Sequence, residues 1–184
     1  MGFRDRREKR QEEREAFGRG GSANRFQMRQ KLISIGDDYW IENEDGERVF
    51  RVDGKAMRLR KTLDLEDAHG NQICRIQTRV LHIRDSMAIE DPDGEQLALV
   101  HKALVSPLRD RWKVDLAEGD DWKVQGNIID HEYEIEADGR KIAEVSKKWF
   151  RVRDTYGVEV APGENSALVL GVTVAVDTMV HPEN

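Results

Sequence analysis

Histidine is the side chain whose ordinary pKa lies closest to neutral pH, so the histidines are the first candidates for acid–base or metal chemistry. There are five, at His69, His82, His101, His131 and His181. They are scattered along the chain, and none has a histidine, cysteine or acidic partner at the close spacing typical of zinc sites. We therefore expect them at the surface or at the rim of the fold, with no metal ion and no cofactor.

A second candidate is the acidic run Asp-Pro-Asp-Gly-Glu at residues 91–95, which has the composition of a calcium-binding loop. Its acids do not follow the order around the glycine that an EF-hand requires, and a hairpin turn explains the same residues. The sequence has no glycine-rich phosphate loop and no nucleophile motif. Its 36 acidic residues are so frequent that paired carboxylates indicate no particular site. We therefore expect a protein that is not an enzyme.

Two basic segments, residues 55–61 and 147–153, are the best candidates for binding an anionic ligand. If the second segment is extended, side-chain alternation places Lys147, Arg151 and Arg153 on one face, where they attract anions. The candidate ligand-binding residues are Lys147, Arg151, Arg153, Arg58 and Arg60. The alternative is a solvated strand face whose cations pair with acids on neighbouring strands.

The composition narrows the class of partner. The 184 residues are 38% hydrophobic and 36% charged, enough for one domain with a core and a heavily charged surface. The net charge of −6 argues against a general nucleic-acid-binding protein. Cys74 is the single cysteine, which excludes an intramolecular disulfide and favours a reducing compartment. Since no signal-peptide pattern and no apolar stretch of membrane length are seen, we expect a soluble, cytoplasmic protein.

Residues 1–25 differ in composition from the rest of the chain. They contain eight Lys or Arg and five Asp or Glu, and they include the glycine-rich run 18–22. Because Phe3 and Phe17 are nearly their only large apolar residues, they have no face to bury. We expect a charged, flexible tail over 1–25, either simply solvated or tethering the protein to an anionic surface, followed by one folded domain over 26–182.

From Phe26 onward apolar and polar residues alternate with a period of two, which is typical of strands with one buried face. Turn pairs at residues 45–46, 69–70 and 93–94 recur every 24 residues and are typical of two-residue hairpins in which both residues have positive φ. The pattern predicts twelve strands, at about 26–34, 38–43, 47–53, 57–66, 71–78, 80–89, 95–104, 109–116, 121–126, 131–136, 140–148 and 152–160. A sheet of this size is expected to close into an antiparallel barrel, because closure removes its exposed edges.

The last apolar run, residues 166–180, carries large apolar side chains all round a helical axis, apart from a narrow polar line of Ser166, Thr173 and Asp177. Asn165 or Ser166 can cap its first turn. The alternative is one or two buried strands, because seven of the 15 residues are Val or Thr. Twelve strands make a barrel too wide for wall side chains alone to fill, so we expect the helix to plug it. The polar line should then face an opening or an internal partner.

Several motifs together resemble the LURP-one-related family. They are Met28-Arg29-Gln30-Lys31-Leu32, Asp45-Gly46, Phe50-Arg51-Val52-Asp53-Gly54-Lys55, Asp93-Gly94 and the closing Ala167-Leu168-Val169-Leu170 to Val176-Asp177. The resemblance covers about residues 26–182. It implies the tubby C-terminal-like fold that this family shares with the phospholipid scramblases, a twelve-stranded barrel around a central C-terminal helix.

The resemblance also implies a link to lipids. Tubby-type domains bind phosphoinositide headgroups, and scramblases are linked to lipid movement and calcium, but none of their binding residues is matched here position by position. Two hypotheses follow. In the first, the chain is a non-enzymatic binding or scaffold domain for an anionic phospholipid or a protein partner, peripheral to a membrane. In the second, it has a scramblase-like or other activity at a polar cavity in the barrel mouth near Asp177.

Overall fold

The structure is a computed structural model that describes residues 3–17, 20–29, 39–54, 62–81, 84–103, 111–148 and 155–181. Within these ranges it contains two helices, α1 (Phe3–Ala16) and α2 (Ser166–Val180). The strands are β1 (Asn24–Arg29), β2 (Tyr39–Asn43), β3 (Arg48–Gly54), β4 (Thr62–Asp67), β5 (Gln72–Leu81), β6 (Arg84–Glu90), β7 (Gln96–Lys102), β8 (Arg111–Leu116), β9 (Trp122–Asn127), β10 (Glu132–Ala137), β11 (Arg140–Ser146) and β12 (Thr155–Val160). Each predicted strand is present, although several predicted ends fall outside the described ranges.

The twelve strands form one closed antiparallel barrel in which each strand pairs with its neighbours in sequence. The barrel closes between β1 and β12, along paired residues that run from Asn24 opposite Val160 to Arg29 opposite Thr155. Successive side chains of a strand point alternately to the outside and the inside of the barrel. In β8 the first four residues are accordingly exposed, buried, exposed and buried in turn. The predicted mainly β, tubby C-terminal-like barrel is confirmed.

Helix α2 fills the interior of the barrel. Asn165 caps its first turn, where the side-chain Oδ1 accepts the backbone N–H of Leu168 at 3.1 Å. Ten successive residues, 169–178, are buried, so every face of the helix is enclosed by the wall. Its many β-branched residues disfavour a helix only weakly, and burial of a wholly apolar surface outweighs that preference. The alternative of buried strands is therefore wrong.

Three hairpin turns, at residues 43–47, 67–71 and 91–95, recur every 24 residues, but they are not the predicted two-residue type. In the third, the N–H of Gly94 donates to the carbonyl of Asp91, and the N–H of Asp91 donates to Glu95. Gly94 has a φ of 90°, whereas Asp93 is not among the residues with positive φ. This is a type I turn followed by a left-handed glycine, with Pro92 at the position where its negative φ is preferred. The run 91–95 is thus a hairpin turn, as expected.

The physical reason for the longer turn is a side-chain acceptor at its first position. Asp91 Oδ1 accepts the N–H groups of both Asp93 and Glu95, at 2.9 and 2.8 Å. Asn43 and Asp67 hold two amides in the same way in the other two turns. Among the described residues, positive φ at two successive turn positions occurs only in the β10–β11 hairpin, at 138–139.

The antiparallel order gives the barrel two different ends. We call the end that carries the β2–β3, β4–β5, β6–β7, β8–β9 and β10–β11 connections the hairpin end. The opposite end carries the β1–β2, β3–β4, β5–β6, β7–β8, β9–β10 and β11–β12 connections, and we call it the loop end. The C-terminal turn of α2 lies at the loop end, because Asp177 contacts His131, which precedes β10, and Tyr156 near the start of β12.

Helix α1 contacts the first residues of β11. Glu13 Oε1 accepts the backbone N–H of Lys141 at 3.4 Å, and Lys141 Nζ lies 4.4 Å from the centroid of the Phe17 ring.

The division into a flexible tail over 1–25 and a domain over 26–182 stays a prediction. Neither helix in the described part of the chain combines the length and the apolar character needed to cross a bilayer.

Candidate functional site

A buried carboxylate at the loop end is the centre of the best-defined polar cluster. Asp177 is 4% exposed and lies in the last turn of the apolar helix α2. Its Oδ1 is 2.6 Å from Nε2 of His131, and its Oδ2 accepts the hydroxyl of Tyr156 at 3.2 Å. A buried carboxylate requires such partners because desolvation of an unpaired charge is costly. Asp177 therefore meets an internal partner, as the polar line on α2 predicted.

The β9–β10 connection places His131 against Asp177. The backbone N–H of His131 donates to the carbonyl of Ile128 at 3.1 Å, and His131 has a φ of 54°. This left-handed conformation ends the turn and begins β10, and it places the imidazole in the interior, where it is 0% exposed. The expectation of a surface or rim position is thus wrong for His131. A histidine in this backbone region is uncommon and marks a constrained position.

Three tyrosines surround the same carboxylate. Burial and the nearby charge of Asp177 raise the pKa values of Tyr39, Tyr133 and Tyr156 above their usual range. All three phenols thus stay protonated at neutral pH and present O–H groups to the interior. Within the described residues, the hydroxyl of Tyr39 and Nδ1 of His131 have no hydrogen-bond partner. These two polar atoms of the cluster are therefore available for a further hydrogen bond.

A second imidazole joins the cluster from the end of α2. His181 follows Asp177 by one helical turn, and its backbone N–H donates to the carbonyl of Asp177 at 3.0 Å. Its Nε2 lies 3.9 Å from Oδ1 of Asp177, and its ring centroid is 5.4 Å from that of His131. One donor atom from each of His131, Asp177 and His181 lies within 4.8 Å of the other two.

Sequence reasoning missed this cluster, although one signal was present. Asp177 and His181 are four residues apart in a segment predicted to be helical, which places them on one helical face. His131 is 46 residues from Asp177, so only the fold brings it to them. Of the polar line on α2, Thr173 instead donates to the carbonyl of Val169, four residues earlier in the same helix.

Of the five residues predicted for the basic site, the structure describes one. Arg58, Arg60, Arg151 and Arg153 lie outside the described residues. Lys147 follows β11 directly, and its side chain is neither fully buried nor fully exposed. Because β3 and β11 both end at the loop end, the two basic segments belong to connections at the same end of the barrel.

Glu132 anchors the start of the β11–β12 connection. Its carboxylate accepts the backbone N–H of Lys147 at 3.1 Å, the hydroxyl of Ser146 at 2.9 Å and Nζ of Lys148 at 2.9 Å. Partial burial acts to raise the pKa of Glu132, but these three donors outweigh it and the pKa is lowered. Lys148 is thus paired with an acid on the neighbouring strand, as expected for the alternative of a solvated strand face whose cations pair with nearby acids.

The connections of the two barrel ends differ in the charged residues that their sequences contain. The five connections at the hairpin end contain ten Asp or Glu and no Lys or Arg, at residues 44–47, 68–71, 91–95, 117–121 and 138–139. The six connections at the loop end contain ten Lys or Arg and five Asp or Glu, at residues 30–38, 55–61, 82–83, 103–110, 128–131 and 147–154. By sequence, the connections that share the loop end are therefore rich in Lys and Arg, and those that share the hairpin end are rich in Asp and Glu.

Comparisons with known proteins agree with this architecture. The profile of the LURP-one-related family matches residues 24–177. The X-ray structure of a protein from Arabidopsis thaliana is similar to this chain with a TM-score of 0.65 and 16% sequence identity, covering 86% of this chain and 92% of the plant protein. No match was found among curated proteins. Since the family profile spans all twelve strands and the first twelve residues of α2, up to Asp177, the match includes the helix that fills the barrel, and the chain belongs to the LURP-one-related family.

Proposed function

We propose that the chain is a non-enzymatic binding domain whose loop end docks on anionic phospholipid headgroups. The observation that carries the proposal is the sequence composition of the connections, with ten Lys or Arg in those of the loop end and ten Asp or Glu in those of the hairpin end. The proposal includes a cytoplasmic protein at the membrane periphery, because the cytoplasmic leaflet carries the anionic lipids.

Charge separation of this kind both attracts and orients the protein. Each Lys or Arg close to an anionic leaflet contributes about 1 kcal/mol, and the effect fades within a Debye length of about 8 Å at physiological salt. Only charges at the end nearest the membrane interact appreciably with the anionic headgroups. A net charge of −6 therefore does not prevent binding when the acids lie at the opposite end. The acidic hairpin end should point away from the surface.

Vesicle sedimentation tests this proposal. Wild-type protein is expected to sediment with phosphatidylserine-containing vesicles in low salt and to be released as the salt concentration rises. It should not bind neutral phosphatidylcholine vesicles. In the double variant Arg58→Glu and Arg60→Glu, loss of the two cations alone removes about 2 kcal/mol, so binding should fall by at least about thirtyfold.

The matched control places the same charge change on the barrel wall. Lys113 and Lys123 are exposed and lie opposite each other on β8 and β9. The double variant Lys113→Glu and Lys123→Glu should therefore retain most of the vesicle binding. Equal losses in the two double variants would show a response to net charge alone and would contradict docking through the loop end. Salt-insensitive binding, or none, would instead leave a protein partner as the occupant.

A second candidate function is a scramblase-like activity at the barrel mouth. The observation that favours it is the buried carboxylate Asp177, held by His131 and Tyr156 near the loop end. Reconstitution into vesicles that carry a labelled lipid would measure transfer between leaflets. The same transfer rate in wild type and in Asp177→Asn would count against a role of this cluster.

A further inference from the structure

We propose that His131, Asp177 and His181 form a binding site for one zinc ion, with two imidazole nitrogens and one carboxylate oxygen as ligands. This site is independent of the proposed lipid binding, since it uses none of the candidate basic residues. The three donors lie within 4.8 Å of one another. Two imidazoles and one carboxylate make a donor set used for zinc, and it leaves a fourth position open.

The His181 ring must turn before the three donors can hold one ion, because it now stacks on the His131 ring with an interplanar angle of 13°. With metal–ligand bonds of about 2.0–2.2 Å and tetrahedral angles, donor atoms lie about 3.3 Å apart. Nε2 of His131 and Oδ1 of Asp177, now 2.6 Å apart, would separate by less than 1 Å, whereas Nε2 of His181 would approach the same oxygen from 3.9 Å. Rotation of the His181 side chain supplies the second movement, because it lies at the end of α2.

Charge compensation is the physical reason for an ion at this place. Asp177 is buried, and among the described residues the hydrogen-bond and ion-pair partners of its carboxylate are His131, Tyr156 and His181, with no Lys or Arg. A buried carboxylate needs a positive partner. A proton on one imidazole would suffice for that, but it does not explain why a second imidazole converges on the same oxygen. A divalent cation accounts for both, and imidazole ligands favour zinc over magnesium or calcium.

The surroundings meet two further requirements of a metal site. The hydroxyl of Tyr156 donates to Oδ2 of Asp177, which leaves Oδ1 for the ion and orients the carboxylate, as outer partners of metal ligands do. His181 is 41% exposed, so an ion can enter from solvent at the end of the helix although His131 is buried.

The test uses the full chain, freed of any purification tag and stripped with a chelator. Isothermal titration with ZnCl2 is expected to show one ion bound per chain. At zinc concentrations about a hundredfold above Kd, linkage predicts a rise in Tm of about 5–10 °C for a chain of this size. Magnesium and calcium chloride should give no comparable shift. Loading with Co²⁺ should give the visible absorption of a tetrahedral site.

Variants separate this site from adventitious binding. His181→Ala should keep the fold, because the side chain is half-exposed at the helix end, and should weaken zinc binding at least about tenfold. His101→Ala is the control, since His101 pairs with Asp115 on the wall and lies outside the cluster. Absence of zinc binding, or equal weakening in the two variants, would overturn the proposal. Asp177→Asn is a second test if it folds, and it should abolish the cobalt spectrum.

Discussion

Two glycine-to-alanine substitutions, one in α2 and one in β9, should change the free energy of unfolding in opposite directions. Gly171 lies in the middle of α2, and a Cβ there would meet Cys74 Sγ at 3.4 Å and Ile89 Cδ1 at 3.6 Å. These are ordinary contact distances. Gly126 lies in β9 with a φ of 142°, and a Cβ there would stand 2.5 Å from the carbonyl oxygen of Glu132 and 2.7 Å from Cα of Tyr133.

The magnitudes follow from these contacts. Alanine is favoured over glycine inside a helix by about 1 kcal/mol, so Gly171→Ala should raise the free energy of unfolding by about that amount. For a chain of this size, the rise in Tm is about 2–4 °C. In Gly126→Ala, the strained φ costs about 1–3 kcal/mol, and the backbone of β10, which pairs with β9 at this point, must also move. We expect a loss of more than about 2 kcal/mol.

Urea unfolding followed by tryptophan fluorescence measures both effects, with the slope m as a check that the unfolded state is unchanged. Gly46→Ala separates strain from overlap, because Gly46 has a φ of 78° but nothing lies within 4 Å of its Cβ position. Its loss should be about 1 kcal/mol and smaller than that of Gly126→Ala. A destabilised Gly171→Ala, or a Gly126→Ala variant as stable as wild type, would refute the reasoning.

Two further predictions concern the barrel interior. Burial, with a smaller effect of Asp64, raises the pKa of Cys74 to about 12. At pH 8 the reactive thiolate is therefore about a thousandfold rarer than it would be at the ordinary pKa of 9.0. Labelling with a thiol reagent should be slow in native protein and fast in urea, and similar rates in the two conditions would contradict burial of Cys74. Deletion of residues 164–184 removes α2, so we expect an insoluble or unfolded barrel, and a soluble truncation with a cooperative thermal transition would contradict that expectation.

Local patterns of apolar and polar residues were sufficient to predict the secondary structure. Strands with one wet and one buried face produce an alternation that is visible in the sequence, and a helix enclosed on all sides produces a run without a polar face. The hairpin turns at 43–47, 67–71 and 91–95 differ from the predicted type because the turn dipeptide alone does not include the side-chain acceptor at the first position of the turn. In Asp91-Pro92-Asp93-Gly94, the carboxylate of Asp91 holds two amides and so favours the longer turn.

The sequence by itself therefore determined the strands, the central helix and the barrel, because each depends on the periodicity of neighbouring residues. Tertiary structure alone decided which chemical groups meet. His131 reaches Asp177 only because the β9–β10 connection and the end of α2 share one end of the barrel. The strand order likewise decides which connections share one end of the barrel, since distances across a closed sheet are not encoded in the spacing of residues along the chain.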